Sequence, residues 1–287
     1  MVRRVRGENR PAGRNTPIAD DTRAATEESR GMATVVRRWS WLTVLVASLL
    51  LYFMVLSLLV ATQNPNLVPI LLVIGAVAMP AAFIAFTASR APIWQVSAAS
   101  LAGFALAGGL FGAAMAGLLE YRVLRDIGWL PALLIAFIEE SVKVAIPAAV
   151  LFTRWLGRAG RMADGLVIGV ATGAGFAAVE TLAYAFVVLL RSGGDIGAAE
   201  VTLFLRGLFA SAAHLSWTGV ACASLWRLYL FAGRSRLISF IATVAGVIAL
   251  HTVWNTVPGA ITFVVLAVLS FGWLLWELHR SRTPEEQ

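Results

Sequence analysis

Residues 129–152 read WLPALLIAFIEESVKVAIPAAVLF, an apolar run of membrane-spanning length broken near its middle by Glu139, Glu140 and Lys143. About 20 apolar residues cross a hydrocarbon core of about 30 Å as a helix. The run is long enough, yet one charge at the centre of such a helix costs about 2.5–3.5 kcal/mol on insertion scales. Three charges in one span call for partners on other spans. The stretch therefore predicts a bundle of membrane helices whose interior answers these groups.

Composition agrees. The chain of 287 residues is 59% hydrophobic and 14% charged, with a mean hydropathy of +0.79. That balance excludes an ordinary soluble domain. The sequence pI near 10.6 comes from 22 arginines and one lysine spread over short segments, which suits membrane topology better than a nucleic-acid surface. Cys222 is the single cysteine, so no internal disulfide can form. The first apolar run starts near Trp39, after a long polar leader, and no cleavable signal peptide is expected.

Outward from the quoted stretch, eight candidate spans follow one another, at roughly 40–61, 67–87, 93–119, 129–152, 162–190, 203–230, 237–256 and 259–277. The fold class is all-α, a polytopic membrane helix bundle of about eight transmembrane helices. Alternate loops sort by charge. One side holds nine arginines before Trp39, then Arg90, Arg154, Arg158, Arg161, Arg227, Arg234, Arg236, Arg280 and Arg282. The other side holds Arg122, Arg125, Arg191 and Arg206. By the positive-inside rule both termini lie in the cytoplasm of a multi-pass protein of the cell membrane. Residues 1–36 read as a disordered, Arg-rich cytoplasmic tail, 37–280 as the bundle with its polar core in 129–256, and 281–287 as a short tail. Span three carries Gly103, Gly108, Gly109, Gly112 and Gly117. Span five carries Gly165, Gly169 and Gly173 at four-residue spacing, a small face that continues through Ala177 to Glu180. Such a face lets helices approach closely and can deliver Glu180 to a neighbour.

The ionisable residues well inside the spans are Glu139, Glu140, Lys143, Glu180, His214 and His251. Each alone has a plain explanation. Lys143 lies one turn from both glutamates and can neutralise them, a membrane histidine commonly bonds between helices, and Arg206 near a span end can snorkel. Depth makes the set more than its members. At 1.5 Å per residue, Glu140, Glu180 and His214 fall at one level near mid-bilayer, with His251 shallower. Four consecutive spans thus place a polar side chain in one layer. His214 pairs with Thr218 on its helix face, His251 with Asn255 and Phe176 with Glu180, each four residues apart. Pro147 leaves the carbonyl of Lys143 without its helical donor, which suits a small wet cavity.

The chain has no His-Glu-x-x-His motif. Its aspartates lie outside the apolar cores, and neither Cys222 nor the buried serines sit in a nucleophile motif. Glutamate and histidine remain. A carboxylate in a low dielectric can serve as general base towards water, while imidazoles and Asn255 can hold a metal or donate to an oxyanion.

Glu139-Glu140-x-x-Lys143, Gly173-x-Gly175-Phe176-x-x-x-Glu180, His214-x-x-x-Thr218 and His251-x-x-Trp254-Asn255, each in its own span, resemble the successive motifs of the PrsW family. These are bacterial intramembrane proteases related to the larger group of CAAX prenyl endopeptidases and bacteriocin-processing enzymes. The resemblance covers roughly 129–256. Thr181 departs from it, where many members carry an Asn, which touches an auxiliary hydrogen bond and leaves the carboxylates in place.

The resemblance implies hydrolysis of a peptide bond in a membrane-anchored protein of the anti-sigma-factor type. Glu140 or Glu139 would activate water and Glu180 would assist. His214 and His251 would bind a divalent metal such as zinc or stabilise the oxyanion, with Lys143, Thr218 and Asn255 in support. Two other readings use the same residues: a proton- or ion-coupled transporter with a Glu/His relay, and a non-catalytic relative whose polar layer packs the bundle. Carriers commonly show repeated halves, and spans one to three do not mirror four to seven. No soluble recognition domain is expected, and the partners are the bilayer and a membrane-anchored substrate, not nucleic acid.

Overall fold

In the computed structural model the backbone is described for residues 17–91, 94–126, 131–153 and 161–281, and side chains for the same segments apart from 17–37 and 122–126. All regular structure among these residues is helical. The helices are α1 (Pro17–Thr62), α2 (Leu67–Arg90), α3 (Ala98–Leu106), α4 (Ala113–Asp126), α5 (Pro131–Thr153), α6 (Met162–Arg191), α7 (Ile196–Leu230), α8 (Arg234–Thr256) and α9 (Ala260–Arg280). A π-helical segment, Ala107–Gly112, joins α3 to α4 into one span. Among the described residues, seven spans are long and apolar enough to cross a membrane. The eighth is α5, whose three central charges set it apart from the rest.

The chain divides into two units, residues 1–39 and 40–287, and the second holds the bundle and the site. The first sixteen residues of the expected disordered tail lie outside the described residues. Its remainder is not irregular, because α1 begins at Pro17. Residues 22–30 read TRAATEESR, composed largely of good helix formers. Their propensity favours the helical state. Of the short C-terminal tail, 282–287 also lie outside the described residues.

Local chemistry sets the ends. Pro131 opens α5, where its missing N–H is not needed. Ser97 caps α3 by accepting from Ser100 N at 3.1 Å. The Asp164 carboxylate accepts from Gln95 N at 2.7 Å and Arg161 N at 3.2 Å, which fixes the start of α6 to the segment before α3. The sixth span begins earlier than the apolar pattern suggests: α7 starts at Ile196, capped by Asp195, which accepts from Ala198 N at 3.2 Å. Gly193 and Gly194, at φ 70° and 99°, make the turn before it.

The α6–α7 pair is the centre of the bundle and its most extensive helix contact. α2 and the α3/π segment pack on α6, α8 and α9 pack on α7, and α5 bridges α8, α4 and the α6–α7 pair. Small residues permit this closeness. A Cβ added at Gly173 would stand 2.8 Å from the His214 carbonyl, and one at Gly169 would stand 2.6 Å from that of Thr218. On the other face of α6, a Cβ at Gly175 would stand 1.7 Å from the Ala105 carbonyl oxygen. Trp217 Nε1 donates to Ser270 Oγ at 2.8 Å, and Arg227 pairs with Glu277, so α7 and α9 are joined at two depths. Large apolar side chains such as Phe53, Leu50, Phe111, Phe204 and Ile261 stay exposed on the outside, as a surface against lipid requires.

Candidate functional site

The small face of α6 sets the site's geometry. Because Gly169 and Gly173 bring α6 against α7, Glu180 arrives beside His214 about two turns further along. α5 and α8 close the opposite side. Glu139, Glu140, Lys143, His214 and His251 are all buried, while Glu180 keeps about 20% of its side chain accessible.

Lys143 stands at the middle. Its Nζ donates to Glu140 Oε1 at 2.8 Å and Glu139 Oε2 at 3.0 Å, both on its own helix, and lies 2.9 Å from His214 Nδ1. An ammonium has three hydrogens and no acceptor, so these three partners use all of them. His214 Nδ1 must then accept, which puts that ring's proton on Nε2, facing Glu180 Oε2 at 3.1 Å. That contact is close without hydrogen-bond alignment. His251 Nδ1 lies 2.9 Å from Glu140 Oε1. An ionised carboxylate only accepts, so His251 carries its proton on Nδ1 and turns the lone pair of Nε2 inward, 3.7 Å from Glu139 Oε2.

Aromatic rings wall the cluster. The Phe176 ring lies 4.0 Å from Lys143 Nζ. Trp217 stacks on His251 with centroids 4.9 Å apart at 26°, and the two imidazoles meet edge to face at 5.1 Å. These contacts fix ring planes that an isolated histidine would leave free.

The sequence-derived set thus assembles: Glu139, Glu140, Lys143, His214 and His251 meet in one cluster, and Glu180 joins it through His214. His251, expected to be shallower, reaches Glu140 directly. Thr218 does not enter the cluster. Its hydroxyl donates to the His214 carbonyl at 3.0 Å, a bond within α7. Asn255 is exposed near the end of α8, and no hydrogen bond joins it to the cluster among the described residues.

Two residues were missed. Arg206 does not merely snorkel: its Nη2 lies 2.9 Å from Glu180 Oε1 and its guanidinium covers the Tyr184 ring at 3.8 Å. The signal was present, since Arg206 precedes His214 by eight residues and therefore shares its helix face. Glu120, on the last turn of the third span, lies within electrostatic reach of Glu139, Glu180 and Lys143.

Glu139, Glu140, His214 and His251 each offer a ligand atom, all within 4.8 Å of one another. Two imidazoles and two carboxylates are a donor set suited to zinc. Glu140 Oε2 is buried without a hydrogen-bond partner, a place where a ligand or water belongs. With histidines neutral, the carboxylates of Glu139, Glu140 and Glu180 outnumber the cations Lys143 and Arg206, so the cluster carries a net negative charge that favours a cation. The residues therefore fit a metal.

A polytopic helix bundle with a buried glutamate–histidine centre carries the groups that a membrane-embedded hydrolase needs. The chain matches the PrsW family of intramembrane metalloproteases over residues 91–276, more than half its length and all of the site, and it belongs to that family. It is therefore a multi-pass membrane peptidase by family. No curated protein and no solved structure matches the chain.

Proposed function

We propose that this chain hydrolyses a peptide bond of a membrane-anchored protein, of the anti-sigma-factor type, using water activated by Glu140. One observation carries the reading: Oε1 of Glu140 is held by Lys143 and His251, whereas Oε2 is buried and free of any hydrogen bond. An oriented carboxylate with one open acceptor is what proton abstraction from a captive water requires. The choice between the adjacent glutamates falls on Glu140, because both bond Lys143 while Glu140 is also oriented from a second helix by His251 Nδ1 at 2.9 Å.

His214, His251 and Glu139 are the residues that would hold a zinc ion, and the ion when bound would polarise the scissile carbonyl and the attacking water. The chain's own groups do the rest. Glu140 takes the proton of the water and returns it to the leaving amine. Glu180 Oε2, 3.1 Å from Nε2 of His214, keeps that ring's proton on Nε2 and leaves Nδ1 as the ring's lone-pair nitrogen. Trp217 and Phe176 exclude bulk water and strengthen each of these interactions. Both termini face the cytoplasm in this reading, as the arginine distribution supports.

The test is cleavage of single-span membrane proteins in cells carrying wild type or Glu140→Gln, read by quantitative membrane proteomics, with metal analysis of the purified chain. A set of fragments lost in Glu140→Gln supports the proposal. Identical fragments in both cells would refute it. The transport reading predicts instead ion flux in proteoliposomes, lost in the same variant.

A further inference from the structure

We propose that Lys143 is a built-in counter-cation that occupies the metal position, and that a divalent ion enters only as the Lys143 ammonium moves out towards Glu180. The inference rests on the metal-holding reading of the site and not on proteolysis itself.

The geometry leaves little choice. Lys143 Nζ is 2.8–3.0 Å from atoms of Glu139, Glu140 and His214, three of the four residues whose ligand atoms gather within 4.8 Å. A zinc ion bonds such atoms at about 2.0–2.2 Å. An ion and an ammonium sharing those donors would stand almost in contact as like charges in a low dielectric, which repels strongly. His214 Nδ1 is also unable to bond a metal while it accepts from Lys143.

The lysine is not arranged as a lipid-facing residue that drifted inward. It has no accessible surface, all three hydrogens are used, and the Phe176 ring covers a further face at 4.0 Å. Both of its carboxylate partners are on its own helix at i−3 and i−4, so α5 carries its own neutralisation before the bundle assembles. Without the ammonium, the two neighbouring carboxylates of α5 would lie buried without their cation, at high cost. With it, the site is formed in the absence of an ion.

A route outward exists. The lysine stem has four carbons and rotates easily. Glu180 lies within electrostatic reach of Lys143, on the neighbouring α6. Its Oε2 is buried without an aligned hydrogen-bond partner, so the displaced ammonium would meet an open acceptor there. Glu180 would then hold Lys143 in the loaded site as Lys143 holds Glu139 and Glu140 in the empty one.

The sequence supplies a direct probe, because Lys143 is the single lysine of the chain. The full chain in lipid nanodiscs, labelled with 15N-lysine, gives one lysine ammonium signal. Titration with zinc should shift that signal in step with binding of one ion. Zinc affinity of Lys143→Met, measured against a chelating dye, should exceed that of wild type by ~10-fold or more, because the competing state has been removed. The metal-free variant should unfold at a lower temperature and gain more from zinc. Lys143→Arg, which keeps the charge, should not gain affinity.

A lysine signal unmoved by bound zinc overturns the proposal, whether or not Lys143→Met folds. So does a Lys143→Met chain that binds zinc no better than wild type, or a wild type that binds no zinc. That last result would leave the cleavage test with Glu140→Gln standing, so the two failures are separable.

Discussion

Arg206 and Glu180 meet across the α6–α7 interface at 2.9 Å, so the carboxylate beside His214 is held from a second helix. Oε1 is taken by Arg206 and Oε2 is left to face His214. Arg206→Ala should therefore let Glu180 rotate away from His214. The expected loss in cleavage rate is on the order of 10-fold, the equivalent of about 1.4 kcal/mol lost with the ion pair. Arg206→Lys should recover part of it, because the charge returns without the planar fork. A double variant with Glu180→Gln should lose little more than Glu180→Gln alone, since both changes act through one contact. Additive losses in the same cleavage assay would show that Arg206 acts elsewhere.

Two glycines of the bundle should behave in opposite ways. Gly103 has nothing within 4 Å of an added Cβ, whereas one at Gly175 would strike the Ala105 carbonyl oxygen. Alanine in an open helical position gains about 1 kcal/mol of helix propensity over glycine. Gly103→Ala should thus be neutral or slightly stabilising. Gly175→Ala must push the α3/π segment off α6, at a cost of about 1–3 kcal/mol or more. Thermal unfolding of the two variants in one detergent compares them directly.

How much of this was legible in the sequence follows from the range of each interaction. The spans could be seen because the bilayer demands long apolar runs. Glu139, Glu140, Lys143, Glu180, His214 and His251 stood out because charge and imidazole are costly there. The four-residue glycine spacing of α6 correctly foretold the delivery of Glu180 to α7. Arg206 was misjudged because its partner lies on another helix, and a snorkelling arginine looks the same in one dimension. For Asn255 the pattern of the sequence alone does not reach far enough. The residue shares the face of His251 four residues away, but α8 nears its end there and that turn stays exposed. The polar start of α1 has no apolar periodicity, so the pattern of the sequence carries no signal for a helix there.

Trp217 supports His251 by stacking and is itself pinned by Ser270. Ser270→Ala leaves the indole N–H buried and unsatisfied, with an expected cost of about 1–3 kcal/mol. The ring itself has few other places to go, so cleavage should fall only modestly. Trp217→Leu removes the stacking surface and should depress cleavage more strongly than Ser270→Ala at comparable loss of thermal stability. Measuring both quantities on both variants separates ring support from general packing. Equal activity losses at equal stability would deny the indole any special part in orienting His251.

The orientation of the chain can be tested with the cysteine it already has. Cys222 is fully buried, so wild type should resist a membrane-impermeant thiol reagent and need not be replaced. Asn66 lies exposed between α1 and α2 and its side chain caps nothing. Ser235 is exposed in the first turn of α8. The arginine-rich segments are proposed to face the cytoplasm, which puts residue 66 outside and residue 235 inside. Asn66→Cys should then be labelled in intact cells, and Ser235→Cys only after the membrane is opened. Labelling in the reverse order would invert the bundle. It would also place Arg206, between the α6–α7 turn and His214, on the cytoplasmic half of the site, so that any substrate segment bound near Glu180 would have to enter from that side.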